Sequence, residues 1–100
     1  MTAQFHDFIA QSEVPVLVDF FADWCRPCHM LAPTLKKLKS AWGEKIKIIK
    51  VDTEANPHIA SEFQISGIPT LILFKNGQAT HRTSGVMPLS QLQAEFGKFL

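Results

Sequence analysis

Residues Val14 to Phe21 form a nearly unbroken apolar run, rich in β-branched and aromatic side chains and interrupted only by Asp19. A strand with one wet face alternates apolar and polar residues, whereas a continuous run suits a strand covered on both faces, as in a parallel sheet flanked by helices. Cys25 and Cys28 follow directly, and a long helical pattern comes next. In it Met30, Leu31, Leu35, Leu38 and Trp42 line one side, and Lys36, Lys37 and Lys39 form a solvated row on the other. Pro27 near the first turn and Gly43 at the stop suit that helix, and Pro33 inside it is expected to kink it. A buried strand feeding an amphipathic helix is the opening unit of an α/β domain.

The rest of the chain extends the pattern. Phe5, Phe8 and Ile9 recur at i, i+3 and i+4 behind Thr2 and predict a short amphipathic helix ending before Pro15. A second strand is expected over 46–51. Asn56-Pro57 then opens a short helix carrying Ile59, Ala60 and Phe63. A third strand is expected over 70–74, and Asn76-Gly77 is a hairpin signal leading to a fourth strand near 79–83, which Gly85 ends. Pro88 opens a last helix with Leu89, Leu92, Phe96 and Phe99 facing inward. After the first helix the order is β-α-β-α-β-β-α. Right-handed crossovers predict three parallel strands, with the hairpin strand as an antiparallel edge, in a mixed four-stranded sheet with helices on both faces.

One hundred residues without a repeat, linker or low-complexity tract read as a single domain spanning 1–100. Ten Lys and Arg against nine Asp and Glu leave a net charge of +1, which argues against a nucleic-acid or anionic-membrane surface. No apolar stretch approaches the roughly 18 residues of a membrane span, and the first residues lack the basic and apolar regions of a signal peptide. The expectation is a soluble, cytoplasmic domain.

The cysteines lie where such a domain builds its sites: at the carboxyl end of the first strand and the start of its helix. A helix N-terminus presents free amides and a partial positive charge, and both favour a thiolate. Cys25, at the exposed start of the helix, is therefore the expected attacking thiolate. Cys28, nearly a turn later, can attack a mixed disulfide formed on Cys25. Two inert buried thiols are the bland alternative. Cys25-Arg26-Pro27-Cys28-His29 also matches a c-type haem attachment pattern, but sheet-like flanks and the missing export signal argue against haem. A structural zinc site needs four ligands, and His58 and His81 are too far apart to complete one. No metal and no cofactor is expected.

The chain resembles the thioredoxin family from its first helix to its last. Phe20-Phe21-Ala22-Asp23-Trp24-Cys25-Arg26-Pro27-Cys28 is similar to the family's active-site segment, Ile68-Pro69-Thr70 to its cis-proline segment, Phe74-Lys75-Asn76-Gly77 to its hairpin, and Gly85 to its glycine beside the site. The resemblance implies a thioredoxin fold and reduction of protein disulfides by dithiol-disulfide exchange. It also implies re-reduction by an NADPH-linked thioredoxin reductase and action as a monomer. It implies that Asp19 lies under the disulfide and helps deprotonate the resolving thiol, with Lys50 near that aspartate. Burial should raise the pKa of Asp19. The residues themselves allow a plainer reading, in which Asp19 is turned to solvent or hydrogen-bonded and Lys50 is a solvated strand-end charge. Arg26, Pro27 and Lys50 are the candidates for tuning the redox pair. Trp24, Ile68, Pro69, Gly85 and Val86 are the candidates for substrate contact, with Pro69 expected cis. His6, His58 and His81 are expected at the surface.

Three departures from the family stand out. No strand is expected before the first helix, Phe21 replaces a tryptophan, and Arg26 and His29 stand where glycine and lysine are common. The competing readings are a more oxidising disulfide oxidase or isomerase, and a binding module whose thiols are incidental.

Overall fold

The computed structural model describes residues 2–100. Its elements run α1 (Thr2–Gln11), β1 (Val16–Phe21), α2 (Arg26–Trp42), β2 (Lys47–Asp52), α3 (Pro57–Glu62), β3 (Thr70–Lys75), β4 (Gln78–Ser84) and α4 (Leu89–Gly97), with one 3-10 turn at Gly43–Lys45. The element order matches the sequence pattern. Pro33 lies within α2 without ending it, and Gly43 closes that helix with a φ of 54° and an N–H donated to the Lys39 carbonyl.

The four strands form one sheet in the order β2-β1-β3-β4. β1 and β2 are parallel, with Asp19 opposite Lys50. The expectation of three parallel strands is corrected here: β3 runs antiparallel to β1, with Thr70 opposite Phe20. The reason lies in the connection. Six residues of α3 advance about 9 Å, while a six-residue strand advances about 20 Å. The helix therefore does not carry the chain back along the sheet, and β3 starts at the end where β1 and β2 finish. The crossover rule governs only connections that make the full return. Asn76 and Gly77, both at positive φ, then turn β3 into antiparallel β4. A Cβ at Gly77 would also press to 3.3 Å from the Ala10 backbone, so the turn is tied to α1.

Alternation along β1 feeds two cores. Val16, Val18 and Phe20 join Phe5, Ile9, Ile59, Ile72 and Phe74 on the α1 and α3 side. Leu17 joins Leu31, Leu35, Leu38, Leu71, Leu73, Leu92 and Phe96 on the α2 and α4 side. Both faces are covered, as the continuous apolar run requires. Three side chains sit differently from what the sequence pattern suggests. Phe8 is half-exposed beneath Lys47, whose Nζ lies 5.3 Å from the ring centroid. Met30 is 59% exposed. His81 is half-buried, stacked on Phe99 and bonded to Glu95 at 2.7 Å.

Candidate active site

β1 ends at Phe21, and a tight turn delivers Cys25 to the N-cap of α2, with the Cys25 N–H donating to the Ala22 carbonyl at 3.1 Å. The Cys28 N–H donates to Cys25 Sγ at 3.2 Å. That is a helix-start amide aimed at a sulfur, the contact that stabilises a thiolate. Cys25 and Cys28 are joined in a disulfide, with Cα atoms 5.3 Å apart. Pro27 fits the first turn of α2, where its missing N–H costs nothing. Arg26 is exposed beside it.

The expectation of an exposed Cys25 is corrected. In the disulfide state Cys25 and Cys28 are 3% and 4% exposed, closed over by Ala22, Phe21 and Ile68. Exposure therefore does not separate the two sulfurs. What separates them is the cap position of Cys25 and the amide it receives.

The peptide Ile68-Pro69 is cis, and the Ile68 carbonyl oxygen lies 3.8 Å from Cys25 Sγ. The Gly85 N–H donates to the Pro69 carbonyl at 2.9 Å, and Gly85 has a φ of 89°, a region that favours glycine. Val86 beside it is exposed. The Ile68-Pro69 segment thus adjoins both the redox pair and Gly85, although Cys25 and Gly85 are sixty residues apart in the chain. Trp24 is 69% exposed, with its indole N–H donating to a Glu54 carboxylate oxygen at 3.0 Å.

Of the residues that brace this turn, Glu54 does not stand out in the sequence, and His29 stands out only as a departure from the family. Glu54 sits in the turn after β2, held there because its N–H and that of Ala55 donate to Asp52. The His29 imidazole bonds to the Asp23 carbonyl at 2.7 Å and spans the turn that carries Cys25. The position of Glu54 at the carboxyl end of a strand is the only sequence signal that points to it.

Asp19 is 1% exposed, and neither carboxylate oxygen has a hydrogen-bond partner. It is therefore not turned to solvent. Burial pushes its carboxyl up to about 6, against the attraction of Lys50 across the strand pair. Asp19 lines a cleft that also touches Ala32 and Leu35 of α2. Ala32 is one helical turn beyond Cys28, so Asp19 and the second cysteine border the same β1–α2 seam. The Lys50 ammonium lies 4.5 Å from the Phe21 ring centroid, at the end of β1 nearest the cysteines. Among the described residues, no group of three or more His, Cys, Asp or Glu gathers to hold a metal, and no helix is long and apolar enough to cross a membrane.

Comparison with known proteins gives a family match: the thioredoxin family model covers residues 1–98. A thioredoxin-like protein of Synechocystis is 45% identical over 98% of this chain and 93% of its own length. Thioredoxin 1 of Chlorobaculum tepidum is 43% identical over 95% of this chain and 94% of its own. Thioredoxin Y, chloroplastic, of rice is 44% identical over 90% of this chain and 54% of its own.

Proposed function

The chain belongs to the thioredoxin family and is a protein thiol-disulfide oxidoreductase, and from that premise we propose how its residues divide the work. Cys25, as thiolate, attacks a substrate disulfide. One substrate sulfur leaves as thiolate, and a Cys25–substrate mixed disulfide forms. Cys28 gives up its thiol proton to Asp19 and attacks Cys25. The mixed disulfide breaks and the Cys25–Cys28 disulfide forms, so two electrons end on the two substrate sulfurs; Asp19 returns the Cys28 proton to one substrate thiolate and water protonates the other. An acceptor with a pKa near 6 suits this step, because it is ionised at neutral pH yet more basic than an ordinary carboxylate.

The observation that carries the assignment is the Cys28 amide donated to Cys25 Sγ at the N-cap of α2. It stabilises negative charge on Cys25 rather than on Cys28. Trp24, Ile68, Pro69, Gly85 and Val86 form the contact surface for an extended substrate segment, with Glu54 holding the Trp24 indole. Arg26, Pro27 and Lys50 tune the pair. The chain works as a monomer on disulfide-containing proteins, is recharged by an NADPH-linked thioredoxin reductase, and acts in a reducing compartment such as the cytoplasm.

Insulin reduction with dithiothreitol tests the activity, and trapping tests the roles. Cys28→Ser accumulates mixed disulfides through Cys25 because the resolving thiol is gone. Cys25→Ser is inactive and traps little. Equal trapping by the two variants would refute the assigned order.

A further inference from the structure

Between α2 and β2 the surface opens into a cleft of about 240 Å³, lined by Ala32, Leu35 and Ile48, with Asp19 at its floor and Lys36, Lys39 and Lys50 around it. Leu35 is buried, while Ala32 and Ile48 are left half-buried. Lys39 is already engaged, since its ammonium donates to the Gly43 and Ile46 carbonyls at 2.7 Å each. Lys36 and Lys50 take part in none of the ion pairs among the described residues. The floor adds an unpartnered polar group, because the buried Asp19 carboxylate has no donor from the protein. An apolar wall beside two ammonium groups outside any ion pair, Lys50 resting on the Phe21 ring, in a space of roughly eight water volumes at about 30 Å³ each, defines one kind of occupant. A small hydrated anion would leave the wall uncovered, and a neutral hydrocarbon would leave the ammonium groups unpaired.

We propose that this cleft binds a small amphipathic monocarboxylate of about benzoate size, its body on Ala32, Leu35 and Ile48 and its carboxylate between Lys36 and Lys50. This site is distinct from the substrate surface around Trp24 and Ile68, and its occupancy does not depend on Asp19 acting in exchange. It does bear on the charge of Asp19. The ligand's carboxylate brings a second negative charge over the buried Asp19 carboxyl and favours its neutral form. Binding and Asp19 protonation therefore assist each other by reciprocity. The charged groups facing the cleft besides Asp19 are Lys36 and Lys39 from α2 and Lys50 from β2. β3 contributes Leu71 opposite Asp19 and no charge.

The test is a titration of the oxidised protein with sodium benzoate, followed by amide chemical shifts. Saturable shifts are expected at Ala32, Leu35, Ile48 and Lys50, with affinity about tenfold tighter at about pH 5.5 than at about pH 8. Lys36→Glu, on an exposed side chain, is expected to weaken benzoate by about tenfold or more. Asp19→Asn is expected to bind equally well at both pH values. Benzamide, of the same shape without the charge, is expected to bind more weakly than benzoate. Shifts that never saturate would overturn the site, as would benzamide or inorganic phosphate matching benzoate at the same amides. A pH dependence that survives Asp19→Asn would overturn the link to the floor. No turnover is measured, so these results stand apart from the roles assigned to the cysteines and to Asp19 in exchange.

Discussion

On the face of β1 that meets α1 and α3, Val16, Val18 and Phe20 lie in a closed cluster of hydrocarbon and rings. The half-buried Phe63 packs against it, 5.2 Å from Phe74, 6.0 Å from Phe5 and 6.2 Å from Phe20 between centroids. On the face that meets α2, the same strand presents Leu17 to a sealed core, then Asp19 to an open cleft, then Phe21 to the disulfide. Neighbouring residues one step apart thus do opposite things. The first face gains from excluding every polar group and packing its rings edge to face. The second tolerates a buried, unpartnered carboxylate. Such a group costs stability, and it sits on the face that leads to the redox pair. Stability and chemistry are separated by the pleat of one strand.

Phe20→Ala probes the first face and carries the largest expected effect. Emptying a fully buried ring site should cost roughly 3–5 kcal/mol in urea unfolding of the oxidised protein. The folded fraction should keep its rate of exchange, measured well below the unfolding midpoint. A Phe20→Ala variant that is stable but slow would show that the two faces are coupled.

Asp19→Asn probes the second face, and its sign is opposite. The carboxyl is held at about 6 in the fold against 3.8 for the free group, so the folded state binds the proton more tightly. Stability is then greatest below the unfolded value, falls as pH rises from about 3.8 to about 6, and levels off above. Asparagine removes that slope. At neutral pH it should stabilise the protein by an amount on the order of 2–3 kcal/mol, while mixed-disulfide resolution slows. Urea unfolding across pH, paired with the resolution rate near neutrality, measures both. A variant no more stable at neutral pH and resolving at the unmodified rate would reduce Asp19 to an ordinary packed residue.

The contrast between the faces was partly legible in the chain itself. Asp19 stands out because nothing else interrupts the apolar run, and the cysteines are placed by purely local signals: a strand end, a first-turn proline and a helix pattern. The direction of β3 was not legible, because no residue marks the end at which the chain re-enters the sheet. Helical spacing names a face but not how far its neighbours reach, which is why Phe8 and Met30 are more exposed than their positions imply. His81, on β4, is only partly at the surface for a different reason: Phe96 of α4 and Phe99 just after it pack against the imidazole. Glu54 escapes the sequence because its partner Trp24 lies thirty residues earlier and meets it only across the end of the sheet.

The smallest expected effect sharpens the second face at its outer end. Arg26 is a permanent cation at the first turn of α2, beside the sulfur that already receives the Cys28 amide. Its charge adds to the helix-start field and favours the Cys25 thiolate, although exposure to water weakens the attraction. Stabilising the thiolate stabilises the dithiol state, which makes the disulfide a stronger oxidant. Arg26→Gly should therefore raise the Cys25 pKa and make the reduction potential more negative, with both shifts shrinking in high salt. The rate of attack need not follow the pKa, because a more basic thiolate is scarcer but also a better nucleophile. Thiolate absorbance at two ionic strengths, together with a glutathione redox titration, measures the pair. If neither pKa nor potential moves, Arg26 acts only outward, on acidic substrates, and the tuning of Cys25 belongs to the helix-start amide alone.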